Sequence, residues 1–175
     1  MATGVKMAGN RATGARLREI AAVALLLLPP RPADAKGTEE LAVIVHPDNK
    51  TDAISISELR AIFRRDIKRW REGGKTIVPF NWKPRHPVRV LFDRWVLKKT
   101  PDQVAEFWIN QRIRGRGRPP RFHSSPRIVL SFVAHERRAI SYIPVRLLGS
   151  GKSGVKVLRV EGRAPGQKEY PLRGN

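Results

Sequence analysis

The chain has 175 residues, no cysteine, and 35 basic residues against 15 acidic ones, which gives a formal net charge of +20. The missing cysteines exclude a disulfide-stapled fold and a cysteine nucleophile. So strong a positive balance favours acidic partners: small anions, anionic lipid headgroups or nucleic acid. It is also compatible with a solvated basic surface, because the basic residues are spread along the chain.

The N-terminal segment has the three parts of a secretory signal. Basic residues come first, an apolar run of nine residues follows at positions 20–28, Pro29 and Pro30 end it, and small residues at positions 33–35 offer a cleavage site. A membrane-spanning helix needs about 20 apolar residues. We therefore predict a signal peptide over residues 1–35, starting at Met1 or equally at Met7, a periplasmic location, and no permanent membrane span after cleavage.

Cleavage after residue 35 leaves about 140 residues, enough for one domain with its own core. Five basic and two acidic residues leave with the signal, so the rest keeps a net charge of +17. We predict one α/β domain over residues 36–161, and a polar tail over 162–175 that is loosely held. We expect the protein to be a monomer.

The first half of this domain shows strand and helix patterns in alternation. Residues 41–45 are apolar and β-branched, which predicts a buried strand, and a turn cluster follows it. Ser55 with Glu58 has the spacing of a capping box and predicts a helix whose apolar positions continue to Trp70. Residues 76–81 predict a second strand, placed at an edge or a bulge because Pro79 cannot donate to a ladder.

Helices dominate the second half. Apolar residues at i, i+3, i+4, i+7 and i+8 from Val88 predict one helix, a capping box at Thr100 and Gln103 predicts the next, and Ser125 before Pro126 predicts another. Residues 115–120 have the composition of a loop. Strands are predicted at 139–143 and 155–160. This order favours an α/β sheet with helices packed on it.

Catalytic motifs are missing from the sequence. It has no G-x-S-x-G elbow, no P-loop and no dinucleotide fingerprint after a strand. The acidic residues fall mostly on predicted helix faces or caps, and no two of the four histidines have the i, i+4 spacing of a helical metal pair. We therefore expect no enzymatic activity, no cofactor and no bound metal.

Polar side chains precede three of the predicted helices. In an open α/β sheet, ligands bind at the carboxyl ends of strands, where helix N-termini present free N–H groups and a partial positive charge. Serine, histidine and arginine among such groups suit an oxyanion such as phosphate or sulfate. Ordinary N-capping explains Ser55 and Ser125 as well. The predicted ligand-binding residues are His46, Asn49, Ser55, Ser57, Arg85, His86, Arg89, Ser124 and Ser125.

An ordered series of short motifs resembles the small substrate-binding-like proteins of phosphate ABC transporters. The motifs are His46-Pro-x-Asn49, Ser57-x-Leu-Arg-x-Ile-Phe63, Pro87-x-Arg89-x-x-Phe92, Thr100-Pro-x-Gln103, Gly115-Arg-Gly-x-Pro-Pro120 and Ala139-Ile-Ser-Tyr142. The resemblance covers residues 41–160 and implies a reduced sheet of the periplasmic-binding-protein type II kind. Ser141, which stands where that family has the glycine of a Gly-Tyr pair, joins the expected binding residues.

The resemblance also implies a function. The protein would bind inorganic phosphate or a similar oxyanion without covalent chemistry, and pass it to an ABC permease or report its presence. A loop Lys83-Pro-Arg-His-Pro87 stands where the family's Gly/Ser-rich phosphate loop would be expected. The alternative function is a secreted basic protein that docks on anionic lipid, polysaccharide or nucleic acid through the loop 115–121, although nucleic acid is the less favoured partner.

Overall fold

The computed structural model describes residues 39–149 and 153–174, so the predicted signal peptide lies outside the described residues. The strands are β1 (Glu39–Val45), β2 (Ala53–Ile54), β3 (Val78–Trp82), β4 (Arg121–His123), β5 (Ala139–Pro144), β6 (Lys156–Val160) and β7 (Arg173–Gly174). The α-helices are α1 (Ile56–Phe63), α2 (Pro87–Phe92), α3 (Pro101–Ile113) and α4 (Pro126–His135). A π-helical segment, Asp93–Leu97, continues α2.

The strands form one mixed sheet in the order β2-β6-β1-β5-β3-β4, and β7 pairs with the start of β1. Among the described strands, β1 alone runs against the others. It pairs antiparallel with β5, β6 and β7, whereas β3 is parallel to β4 and β5, and β2 is parallel to β6. The predicted α/β architecture, with helices packed on a sheet, is confirmed.

The core is centred on β1 and β5. Successive side chains of a strand point to opposite faces, and residues 41–45 and 139–144 are all buried. Both faces of these strands are therefore covered. On one side, the Phe92 ring of α2 stacks on the Tyr142 ring of β5 with centroids 3.7 Å apart, and Phe63 of α1 lies 4.6 Å from Phe92. These rings fix where α2 begins relative to the ends of β3 and β5.

Two local predictions are wrong in detail. Helix α1 ends at Phe63, before the predicted Trp70, because Arg65 adopts a left-handed conformation (φ 66°). Trp70 is buried from an irregular segment instead. Strand β3 is not at an edge, because it lies between β4 and β5. The Val78 N–H donates to the carbonyl oxygen of Arg138, just before β5. The Pro79 nitrogen therefore faces the other side, where pairing with β4 starts only at Phe80, so the proline is tolerated.

The C-terminal segment is packed, contrary to the expectation of a loose tail. Leu172 is fully buried and Tyr170 nearly so. The Tyr170 hydroxyl donates to the Leu41 carbonyl oxygen at 2.8 Å, and the Leu41 N–H donates to the Leu172 carbonyl oxygen at 2.9 Å. Two buried side chains and the antiparallel pairing of β7 with β1 hold residues 170–174 on the domain. Within the described residues, no helix has the length and hydropathy needed to cross a bilayer.

Candidate oxyanion site

Strand direction separates His46 and Asn49 from the other predicted binding residues. Both follow β1, whose carboxyl end lies beside the amino ends of its neighbours. Asp48 contacts Arg137, just before β5, at 3.3 Å. The His46 imidazole accepts a hydrogen bond from the Asp48 N–H, and the Asn49 side chain accepts one from the Thr51 N–H. These two side chains hold their own turn, so the expected convergence of all three polar loops is not found.

The two serine pairs lie at opposite margins of the sheet. Ser55 follows β2 and Ser125 follows β4, the outermost strands, so five strand spacings of ~4.8 Å, about 24 Å, separate them. The Ser55 hydroxyl accepts from the Glu58 N–H and is hydrogen-bonded to the Ser57 hydroxyl, so both serines hold the start of α1. Ser125 stands at the N-cap of α4, beside Ser124, and its N–H donates to His123. These serines do not form one site.

Ser141 has a structural contact of its own. It is fully buried within β5. Its hydroxyl donates to the Phe80 carbonyl oxygen of β3 at 2.7 Å. This hydrogen bond ties the two strands together and occupies the only hydrogen that the hydroxyl can donate.

The remaining three predicted residues come together at the start of α2. His86 is the N-cap, and its Nδ1 accepts from the Val88 N–H at 3.3 Å. Burial lowers the pKa of His86, which favours the neutral ring that this acceptor role requires. The ring stacks on Trp82 with centroids 4.7 Å apart. The exposed Arg85 side chain forms an ion pair with Asp102 at 2.7 Å.

Arg89 is the central residue of this group, and it is buried. Its side chain is 7% exposed. Nε donates to both carboxylate oxygens of Asp93 at 2.9 Å, and Nη1 donates to the Trp82 carbonyl oxygen at 3.0 Å. Nη2 makes no hydrogen bond within the described residues. It is also not fully buried, since it does not belong to the buried atoms that lack a partner. One donor nitrogen of a fixed guanidinium is therefore available to a ligand.

A buried polar network holds Arg89 in place. Burial raises the pKa of Asp93 to about 6, an effect that the charge and hydrogen bonds of Arg89 only partly offset. The Tyr142 hydroxyl donates to the Asn81 side chain, which also accepts from the Trp82 N–H. The indole N–H of Trp82 donates to the Tyr142 carbonyl oxygen at 2.7 Å. Because each member is fixed by another, Arg89 has little freedom to reorient.

Arg89 and Asp93 line a cavity of about 280 Å³ between α2, α3 and the segment before β4. Two further arginines, Arg85 and Arg112, lie on its lining. Its apolar walls come from α3 and from Pro119, Pro120 and Phe122. Sequence reasoning missed Arg112 and this apolar wall. The i, i+4 spacing of Arg89 and Asp93 on one helix is the signal that could have identified the pair.

A second, more open groove of about 640 Å³ lies at the amino end of β3. Its lining includes Arg65, Arg118, Arg121 and Arg138. Arg138 is bound by both carboxylate oxygens of Glu136, and this partner is the main reason that the pKa of Glu136 is lowered to about 2. The groove therefore carries four basic side chains, of which Arg138 has an acidic partner. Among the described residues, no cluster of histidine and acidic side chains could hold a metal ion.

Comparison with known proteins gives a structural likeness without a sequence match. No family model matches the chain, and no curated protein matches its sequence. Several solved structures align along most of it, among them the following three. An ABC-type phosphate transport receptor from Vibrio cholerae has a TM-score of 0.57 and 17% identity over 73% of this chain and 48% of its own. A putative phosphate ABC transporter substrate-binding protein with bound phosphate from Clostridium perfringens has a TM-score of 0.57 and 21% identity over 73% and 47%.

PstS from Borrelia burgdorferi has a TM-score of 0.61 and 19% identity over 79% of this chain and 55% of its own. The chain thus spans about half the length of the solved structures that it matches. At these identities the likeness establishes the fold and no more. The protein therefore has the α/β fold of part of the phosphate-binding proteins of ABC transporters, as the sequence motifs had indicated.

Proposed function

We propose that this protein binds a small oxyanion, with phosphate as the first candidate, in the cavity at Arg89, and that it does so in the periplasm for an ABC-type uptake system or as an accessory sensor. The observation that carries the proposal is the available Nη2 of a buried, fixed arginine on the lining of a cavity. Arginine N–H groups form strong, charge-assisted hydrogen bonds with phosphate oxygens. The shared fold with phosphate-transport proteins supports the same ligand class.

Electrostatics around the cavity supports an anionic ligand. Asp93 faces Arg89 and Asp102 faces Arg85, so two of the three lining arginines have acidic partners. Arg112, on α3, forms no ion pair within the described residues and supplies the excess positive charge. The N-terminus of α2 adds less than the sequence predicted, because Pro87 has no N–H and the Val88 N–H is already bonded to His86.

Titration calorimetry with inorganic phosphate at moderate salt tests this proposal. We expect saturable one-to-one binding that Arg89→Gln weakens about 10- to 100-fold, because a hydrogen bond to a charged group contributes roughly 1.5–3 kcal/mol. Arg114→Gln is the matched control: it removes the same charge from an exposed position at the end of α3, outside the cavity. If neither variant changes the affinity, or if both weaken it equally, the anion does not bind at Arg89.

A further inference from the structure

The Arg89 cavity has few hydrogen-bond donors and extensive apolar walls. Val104 and Trp108 of α3 are buried behind it, whereas Ile109 and Phe122 are 54% and 50% exposed. Pro101, Pro119 and Pro120 complete the wall. Large apolar side chains that stay half exposed beside a fixed cationic group make a surface that an apolar ligand group would cover favourably.

Donors in the cavity are too few for a tetrahedral ion with four oxygens. Arg89 offers one nitrogen, Arg112 lies on the lining, and Arg85 is engaged by Asp102. The serines predicted to complete an oxyanion cage lie elsewhere, at α1, in β5 and at α4. An oxygen that enters this cavity without a donor loses its hydrogen bonds to water and gains none. A phosphorus ligand fits better if one of its four substituents is apolar.

The size of the cavity agrees with such a ligand. Its volume of about 280 Å³ is close to the lower end of the ~300–1,000 Å³ that is usual for sites of small organic molecules. Specific sites of this kind combine apolar walls with a small number of placed polar groups. Here the polar groups come from the start of α2 and its π-helical continuation and from two positions of α3, Asp102 and Arg112. The apolar groups come from the rest of α3, from the prolines before β4 and from Phe122.

We propose that the ligand of this cavity is an organophosphonate or a phosphate monoester with one ring-sized apolar substituent, bound with its oxygens at Arg89 and Arg112 and its apolar group against Ile109, Trp108 and Phe122. This inference rests on the proposed function, since it takes the Arg89 cavity as the oxyanion site. It changes the ligand from inorganic phosphate to a molecule with a phosphoryl head and an apolar body.

Calorimetry of the full chain with four probes tests the inference: phosphate, methylphosphonate, phenylphosphonate and phenol. We expect phenylphosphonate to bind at least tenfold more tightly than phosphate or methylphosphonate, because roughly 60 Å² of covered apolar surface at ~25 cal/mol per Å² corresponds to about that factor. Phenol, which lacks the charged head, should bind too weakly to measure. Arg89→Gln should weaken both phosphonates.

Two matched variants on α3 locate the apolar body. Ile109 lines the cavity and Ile113, one turn later, is exposed outside it. Ile109→Ala should reduce the preference for phenylphosphonate over methylphosphonate several-fold, whereas Ile113→Ala should leave it unchanged. Both side chains are exposed, so neither change should prevent folding.

The possible results separate the two proposals. If phosphate binds at Arg89 as tightly as phenylphosphonate or more tightly, the inference is overturned and the proposed phosphate function stands. If no probe binds, both are overturned. If phenylphosphonate binds, depends on Ile109 and Arg89, and outcompetes phosphate, the inference is upheld and inorganic phosphate is replaced as the ligand.

Discussion

The pH dependence of stability tests the buried pair of Arg89 and Asp93, on which the site depends. Burial raises the pKa of Asp93 to about 6 from an ordinary value of 3.8. Between these two pH values, the folded chain keeps a proton that the unfolded chain releases, so the free energy of unfolding falls as the pH rises. The whole effect corresponds to about 3 kcal/mol, of which a little under half falls between pH 5 and pH 8.

Asp93→Asn isolates this contribution. Asparagine keeps the shape and one acceptor oxygen but does not titrate. We expect the free energy of unfolding of the variant, relative to that of the unchanged protein, to rise by about 1–2 kcal/mol from pH 5 to pH 8. Urea unfolding followed by the fluorescence of the four tryptophans at intervals of one pH unit measures the difference.

Other groups that titrate do not obscure this result. Burial lowers the pKa of His86, but this residue is present in both proteins, so its contribution cancels in the difference. Glu136, with its pKa lowered to about 2, contributes stability that is lost only as the pH falls toward that value. If the unchanged protein instead gains stability over the variant as the pH rises, the attraction of Arg89 outweighs burial, and our account of the pair is wrong.

Three further predictions concern residues around the site. Ser141→Ala should lower the free energy of unfolding in urea by about 1–2 kcal/mol, since the carbonyl oxygen of Phe80 loses its donor, and should leave phosphate affinity unchanged; a loss of affinity would return Ser141 to the binding residues. Leu172→Ala should cost about 2–5 kcal/mol in the same assay, because this side chain belongs to the core; a cost near zero would restore the loose tail. Arg118→Gln combined with Arg121→Gln should reduce retention on a heparin column and leave phosphate binding unchanged, because both lie on the open groove and not beside Arg89; unaltered retention would show that the groove does not bind polyanions.

Signals that lie within a few residues of each other predicted the local structure well. At the start of α3, Thr100 and Gln103 form both hydrogen bonds of the predicted capping box. At the start of α1, Ser55 accepts the expected bond from the Glu58 N–H. The periodic apolar residues from Val88 do form one helical segment, although its second half is π-helical. Each of these features depends on contacts within one or two turns, which the sequence alone specifies.

Features that depend on distant contacts could not be predicted in the same way. Strands β2 and β7 have two residues each and β4 has three, so none is long enough to show a period. The burial of Leu172 comes from pairing with β1, more than 120 residues earlier in the chain. Helix α1 was predicted too long because Trp70 continues the apolar period by coincidence, while its side chain reaches the core from an irregular segment.

The candidate site also has features that local sequence predicts and features that only distant contacts determine. The motifs indicated correctly that polar residues precede α1, α2 and α4, but whether those residues meet depends on the direction and order of the strands. Strand β1 runs against its neighbours, which places His46 at the far end of the sheet. Arg89 could be assigned to the polar side of α2, yet its burial follows from Asp93 one turn later and from the carbonyl oxygen of Trp82. Arg89 is thus the residue with the strongest case for binding an anion, and the same two partners, Asp93 and the Trp82 carbonyl oxygen, hold it in position.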